Sequence, residues 1–363
     1  MKTKLQFKAI VAFLLIPSFI FSFNNDVVVK HEKQKTIKKV YSVNADATLK
    51  VNNSYGNIEV VTWNQNTIEI EVTITTNSNN EEKAQKRLDA ISVEFEASPS
   101  MVSAKTKFNN SKSSFWWNWG KNDKVNVKVN YIIKMPITNN VNLNNDYGSI
   151  NLDKLEGQAN ISCDYGQVTT KELMADNNSI SFDYTNNSHF EYIKSGKINA
   201  DYSSYTVAKT KHLDINADYT NSNIEIAEEV NYNCDYGNIK IDKVNSVMGK
   251  GDYLTAVFGD VYKNIQLKAD YGSIKIKNMT ANAGNVLIES DYTGITIGFD
   301  SNYNFKFNLD LQYASLRNKG ELKILKQIKK SNTKSYAGYY GNKNTSNTIT
   351  INSEYGSVSL SKN

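Results

Sequence analysis

The chain has 363 residues, 40% of them hydrophobic and 22% charged, with a formal net charge of +5. With three histidines, three prolines and two arginines (Arg87 and Arg317), it holds little of the usual equipment for acid–base, metal or phosphate chemistry. Abundant asparagine, 22 tyrosines and many β-branched residues point instead to β structure rich in turns.

The N-terminus reads as an export signal over residues 1–22. Lys2, Lys4 and Lys8 precede an apolar run from Ala9 to Phe21, which is too short for a comfortable membrane span and carries Pro17. Ser22 suits a cleavage site, although Ile20 is large for the position two before it; an uncleaved anchor is the alternative. No cysteine follows to accept a lipid, and no later apolar segment reaches spanning length. Cleavage would leave a net charge of +2, which is no footprint for nucleic acid. The expected location is the periplasm or the cell surface.

Residues 23–140 predict a β-rich N-terminal cap region. Apolar alternation marks strands at Thr36–Val43, Leu49–Val51, Ile58–Val60, Ile68–Ile74, Ile91–Phe95 and Val125–Ile133. One short helix is expected over 80–89, with Ser78 or Asn79 as its N-cap and acids in its first turn. Between the last strands, Trp116, Trp117 and Trp119 are candidates for stacking on sugar rings or contacting a partner. The alternative is a hairpin that folds them back onto the sheet.

From residue 141 an internal repeat dominates. Asp-Tyr recurs with its tyrosine at 147, 165, 184, 202, 219, 236, 253, 271 and 292, and Gln312-Tyr313 and Glu354-Tyr355 are degenerate copies. Ser54-Tyr55-Gly56 is an early outlier. The basic spacing is 17–21 residues. Four residues before most of these tyrosines lies a large apolar residue, as in Leu143, Ile161 and Ile180; two before, the residue is usually small, as in Cys163, Ala200 and Cys234. Apolar residues return three and five after it, as in Ile150 and Leu152. This is period two, the mark of a strand with one buried face. The phase slips at the residue after tyrosine, often Gly, where φ > 0 is expected. Strands recurring at this period without hairpin turns predict an all-β solenoid, a parallel β-helix of 17–21 residues per coil with residue ladders about 4.8 Å apart.

By parity the tyrosines should point with the small residues, at a corner where each hydroxyl reaches a turn group. The aspartates should face their local turn amides, with a calcium ladder as the alternative. No metal and no cofactor is expected. Cys163 and Cys234 both fall two before a tyrosine, four coils apart, so roughly 19 Å should separate them and both should be free thiols.

Residues 317–345 hold eight Lys or Arg against one Glu. They predict an irregular basic excursion, with Lys326, Lys329, Lys330, Tyr336, Tyr339 and Tyr340 as candidate contacts for a polyanion. The last coil ends at Leu360 with nothing after it to cover the edge, which raises the alternative of a self-assembling rod.

The set Asn53-Ser-Tyr-Gly-Asn-Ile-Glu-Val60, Trp63-Asn-Gln-Asn-Thr-Ile-Glu-Ile70, Val129-Asn-Tyr-Ile-Ile-Lys-Met-Pro136 and the Asp-Tyr-Gly-x-Ile coils resembles a bacterial putative-adhesin family. That family is a domain of unknown function with β-strand repeats, common in exported Bacteroidota proteins. The resemblance covers nearly all the mature chain and implies a right-handed, single-stranded parallel β-helix on the cell surface or in the periplasm. It implies no activity and no site residues. Several coils depart from it by replacing the Gly after Tyr.

His31, His189 and His212 stand apart in sequence, and no Gly-x-Ser-x-Gly, His-Glu-x-x-His or phosphate-loop motif is present. Catalysis breaks symmetry, whereas these aspartates keep it. The expected function is therefore a non-catalytic surface for adhesion, binding or envelope scaffolding, with a surface glycan or envelope protein as partner. A carbohydrate-active enzyme on acidic polysaccharide is the alternative.

Overall fold

A computed structural model describes residues 30–109 and 125–363. The export signal and the three candidate tryptophans lie outside the described residues.

Among the described residues the protein is all-β, with one α-helix, Glu81–Asp89, and 27 strands hydrogen-bonded into one long mixed sheet that does not close. The repeat organises it. Each repeat places one strand segment before its tyrosine and one after, and both pair in parallel with the matching segments one repeat away. Asp146 thus aligns with Asp164, Asp164 with Asp183, Asp183 with Asp201 and Asp201 with Asp218. After the tyrosines, Thr206 aligns with Asn223, Lys240, Val257 and Lys275 in turn. We call each such unit a rung and name it by its tyrosine. Two ladders, one before and one after the tyrosine corner, enclose the core.

The core follows the period-two pattern. Leu143, Ile161, Ile180, Ile198 and Ile215 stack in one buried column, and Ile150, Val168, Ile239, Ile274 and Ile295 are buried on the other ladder. Tyr232 takes the place of an aliphatic residue in the first column. Its ring fills the space over Gly249 of the next rung, where a Cβ would come within 2.0 Å of the ring. Cys163 and Cys234 are buried and free, as their register requires. Burial pushes each thiol up to about 12.

Both ends depart from sequence order. The strands Thr48–Ser54 and Ile58–Trp63 form a full rung, the Tyr55 rung. It lies between the Tyr147 rung and an outer rung made of Met101–Phe108 and Asn126–Pro136. Met101–Phe108 is a strand that its sequence pattern did not disclose. Antiparallel strands then flank this outer rung: Ile91–Ser98 on one ladder, and Thr67–Ser78 followed by His31–Ser42 on the other. The helix packs behind Thr67–Ser78, burying Ala84 and Leu88. Its N-cap is Asn80, whose side chain accepts from the Lys83 amide, two residues later than Ser78. Ser78 instead accepts the Asn80 amide.

At the other end, the Tyr355 rung (Thr348–Glu354 and Ser357–Lys362) is inserted between the Tyr292 and Tyr313 rungs. The outermost rung is therefore Tyr313's. Its first strand, Phe305–Gln312, is covered by Thr333–Tyr340, which pairs antiparallel with it and with Lys323–Lys329. The last coil in sequence is thus an interior rung, and the bare-edge premise for a self-assembling rod falls away. The basic excursion is an ordered hairpin rather than an irregular loop.

Candidate binding surface

Twelve tyrosines occupy the corner, in the spatial order 55, 147, 165, 184, 202, 219, 236, 253, 271, 292, 355 and 313. Each has a left-handed backbone, with φ between 48° and 64°. The glycine that often follows does not take this conformation, contrary to the sequence expectation. What the glycine supplies is closeness: a Cβ on Gly166 would lie 2.0 Å from the Gly148 carbonyl oxygen of the preceding rung. The left-handed residue also cancels the parity argument. It turns each ring away from the buried column, so the tyrosines are about half exposed (44–53%).

Their rings stack face to face along the whole molecule. Neighbouring centroids lie 4.6–5.4 Å apart with planes within 2–8° of parallel. Phe108 closes the Tyr55 end edge-on. At the far end the Tyr313 hydroxyl accepts from Asn332. Turn groups do not take up the other column hydroxyls among the described residues, so the expected hydroxyl-to-turn bonds are not formed. A left-handed non-glycine residue costs about 1–2 kcal/mol. Each stacked pair returns about 0.5–1.5 kcal/mol beyond its area burial. The two nearly cancel, so the turn by itself gives no reason for tyrosine over Gly or Asn at every rung.

Where Thr or Ser follows the tyrosine, its hydroxyl is buried and ties two rungs together. Thr220 donates within its own corner to the Asp218 carbonyl and accepts the Ser203 amide. Ser203 does the same with Asp201 and Thr185.

The aspartates form a second column beside the rings. Six of the nine carboxylates, those of Asp164, Asp183, Asp201, Asp218, Asp235 and Asp270, accept the backbone amide of the next rung's aspartate rather than their own turn amides. Ion pairs elsewhere, such as Lys171–Asp153 and Lys194–Asp176, do not extend to this column among the described residues. Burial, and then the like charges of Asp235 and Asp270, push the Asp252 carboxyl above the usual aspartate range. Among the described residues no group of three or more His, Cys, Asp and Glu side chains could hold a metal ion.

Outward residues of the ladder before the corner are short and polar over the first rungs: Asn144, Ser162, Ser181, Asn199, Asn216 and Asn233. Further along, a shallow groove of about 640 Å³ runs over Gly249, beside Tyr232, Met248 and Leu287, with Lys197, Lys250 and Lys268 at its sides. The histidines lie on separate elements; His212 sits between Asp214 and Glu229 on the surface.

On the C-terminal hairpin, Lys326, Lys329 and Lys330 are exposed together. Tyr339 lies partly exposed beneath the Lys323 ammonium. Two candidate contacts are spent elsewhere. Tyr336 is only 2% exposed, because it faces the core opposite Leu309. Tyr340 packs on Phe299 and Phe305 and donates its hydroxyl to the Ser301 carbonyl.

No family model matches the chain, and no curated protein matches it in sequence. Its fold neighbours include putative adhesins from Bacteroidota and a putative cell adhesion protein from Clostridium sporogenes. A putative adhesin from Bacteroides fragilis is 13% identical, covering 91% of this chain and 97% of that one, with a TM-score of 0.25. One from Parabacteroides merdae is 14% identical over 73% of this chain and 92% of that one, with a TM-score of 0.30. A putative lipid binding protein from Parabacteroides distasonis is 8% identical over 90% and 96%, also at 0.30. At such scores the likeness assigns neither ligand nor activity to this chain.

Proposed function

We propose that the protein is an exported, non-catalytic, right-handed parallel β-helix that presents a long, regular surface for adhesion or binding in the cell envelope. Residues 1–22 serve as its export signal, 23–140 as its N-terminal cap region and 141–363 as its helical body, with 317–345 as a basic excursion. The observation that carries this reading is the unbroken corner. Twelve rungs repeat one surface pattern in register, whereas a catalytic site would interrupt it with groups present on one rung alone. Parallel pairing one repeat apart supports the helix.

The partner is a surface glycan or an envelope protein, and no cofactor is required. The exposed lysines Lys326, Lys329 and Lys330, with Tyr339 beside them, supply the contact for an anionic glycan, and Trp116, Trp117 and Trp119 supply aromatic contacts. A glycan array and envelope pull-down on the mature protein test this. Binding to a defined set of glycans, with salt-sensitive retention on anionic ones, is expected. Replacing Lys326, Lys329 and Lys330 together by Glu should abolish the anionic part. Turnover of any retained polysaccharide would overturn the non-catalytic reading, and retention unchanged by the triple replacement would remove the hairpin from the contact.

A further inference from the structure

We propose that the tyrosine column is a site of oxidative cross-linking, where a one-electron oxidant couples the rings of neighbouring rungs into dityrosine. Three observations converge on it. The phenols are stacked at 4.6–5.4 Å with nearly parallel planes, so equivalent carbons of adjacent rings face one another. About half of each residue is open to solvent, so the oxidant reaches the ring edge and hydroxyl. Tyrosine also fills this corner on twelve rungs, although its left-handed backbone would suit Gly or Asn better.

The step balances with an oxidant of the peroxidase–peroxide class. Each of two adjacent phenols gives up one electron and releases its hydroxyl proton. The two phenoxyl radicals form one carbon–carbon bond between their ortho carbons, and each displaced ortho hydrogen moves to oxygen to restore a phenol. The pair loses two electrons and two protons, and one hydrogen peroxide takes them up to give two waters. Each link rivets one rung to the next at the corner, where the rungs are otherwise held by hydrogen bonds such as the Tyr147 amide to the Asp164 carbonyl. An exported rod joined in this way resists unzipping along its axis.

The order of the rungs supplies a signature that chance oxidation cannot imitate. Tyr355 stacks on Tyr292 at 4.6 Å and on Tyr313 at 4.7 Å, so the sequence neighbours Tyr292 and Tyr313 do not touch. Tyr55 stacks on Tyr147 across 92 residues of chain. The experiment treats the folded protein with a haem peroxidase and hydrogen peroxide, then maps links in the monomer fraction by digestion and mass spectrometry. Expected are species lighter by two hydrogens per link, joining Tyr292 to Tyr355, Tyr313 to Tyr355 and Tyr55 to Tyr147, but not Tyr292 to Tyr313. Tyr355→Phe keeps an aromatic ring in the stack. It should abolish both links at position 355 while those between Tyr165 and Tyr236 persist. Three results would each overturn the proposal: no dityrosine under conditions that couple free tyrosine, equal yield at Tyr262 and Tyr339 outside the column, or products that are chiefly intermolecular.

Discussion

The middle of the molecule and its two ends are built from the same rung but assembled differently. From Tyr165 to Tyr271 every rung pairs with the one before and the one after it in sequence, 17–21 residues away. At the ends the partner is remote. Thr48 aligns with both Met101 and Asn140, and Ile349 with both Val286 and Phe307. In each case the chain leaves a space one rung wide and another stretch of sequence fills it. Antiparallel strands then cover the outer edge, where a bare parallel rung would invite pairing with another chain. The middle can therefore gain or lose a rung, whereas each end is a closure that all its segments must complete.

The largest effect expected from this contrast comes from deletion. Ending the chain at Gly341 removes the inserted rung with its buried Ile349, Ile351, Val358 and Leu360. At about 1.5–3 kcal/mol for each buried side chain, roughly 6–12 kcal/mol goes with them. That rivals the whole stability of an ordinary domain, about 5–15 kcal/mol. The shortened protein should lose its last rungs to protease, and a peptide spanning 345–363 added in trans should restore them. Deleting 220–236, one period of the middle, joins Tyr219 to Gly237 in unchanged register. The main defect is Gly249 facing Ile215 in place of the Tyr232 ring, a void worth about 1–3 kcal/mol. Urea unfolding of both variants decides the matter; equal damage would mean the middle is no more modular than the end.

The same contrast explains what could be read in the sequence. Period, buried columns, tyrosine alignment and free thiols were legible because each depends on residues one repeat apart. The rung order at the ends was not. No local pattern says that Thr348–Glu354 belongs between Val286–Asp291 and Phe305–Gln312. Met101–Phe108 escaped notice because its neighbours come from Thr48–Ser54 and Ile91–Ser98, and its one aromatic residue, Phe108, closes the tyrosine stack. The left-handed tyrosines were misplaced by one residue because glycine is the ordinary choice for positive φ, and only the ring stack offsets the strain. Of the candidate contacts, the exposed lysines were legible, but the burial of Tyr336 was not, since it depends on pairing with Leu309.

Corner chemistry gives two further tests of intermediate size. Gly166 and Thr185 occupy equivalent positions on adjacent rungs, yet they are not interchangeable. A Cβ at Gly166 would meet backbone at 2.0 Å, so Gly166→Thr should cost about 3 kcal/mol in thermal or urea melts despite the Thr one rung away. At Thr220 the loss is chemical rather than steric. Thr220→Val keeps the shape but leaves the buried Ser203 amide without its acceptor, at a cost of about 1–3 kcal/mol. A Thr220→Ser variant, which keeps the hydroxyl, should recover most of it. If Val and Ser behave alike, the hydroxyl bridge contributes nothing.

The smallest effect separates acids inside the column from those outside it. Burial and its column neighbours raise the Asp252 carboxyl, whereas the hydrogen-bonded Lys194 ammonium lowers that of Asp176. Because desolvation and the like charges of Asp235 and Asp270 disfavour its carboxylate, the folded state holds a proton on Asp252 more tightly than the unfolded chain does. Its contribution to stability therefore grows as pH falls through the window between the ordinary aspartate value and the raised folded one. For Asp176 the sign reverses: its contribution is present above the ordinary value and is lost as pH falls through the lowered folded one. Asp252→Asn should keep an oxygen for the next rung's amide and relieve the repulsion at neutral pH. Its urea midpoint, less that of the parent, should be positive near neutrality and shrink toward acid pH. Asp176→Asn should give a negative difference that also shrinks toward acid pH. Added salt should reduce both differences, since both sites are exposed. Like-signed differences for the two variants would show that the column carries no repulsion the fold has to bear.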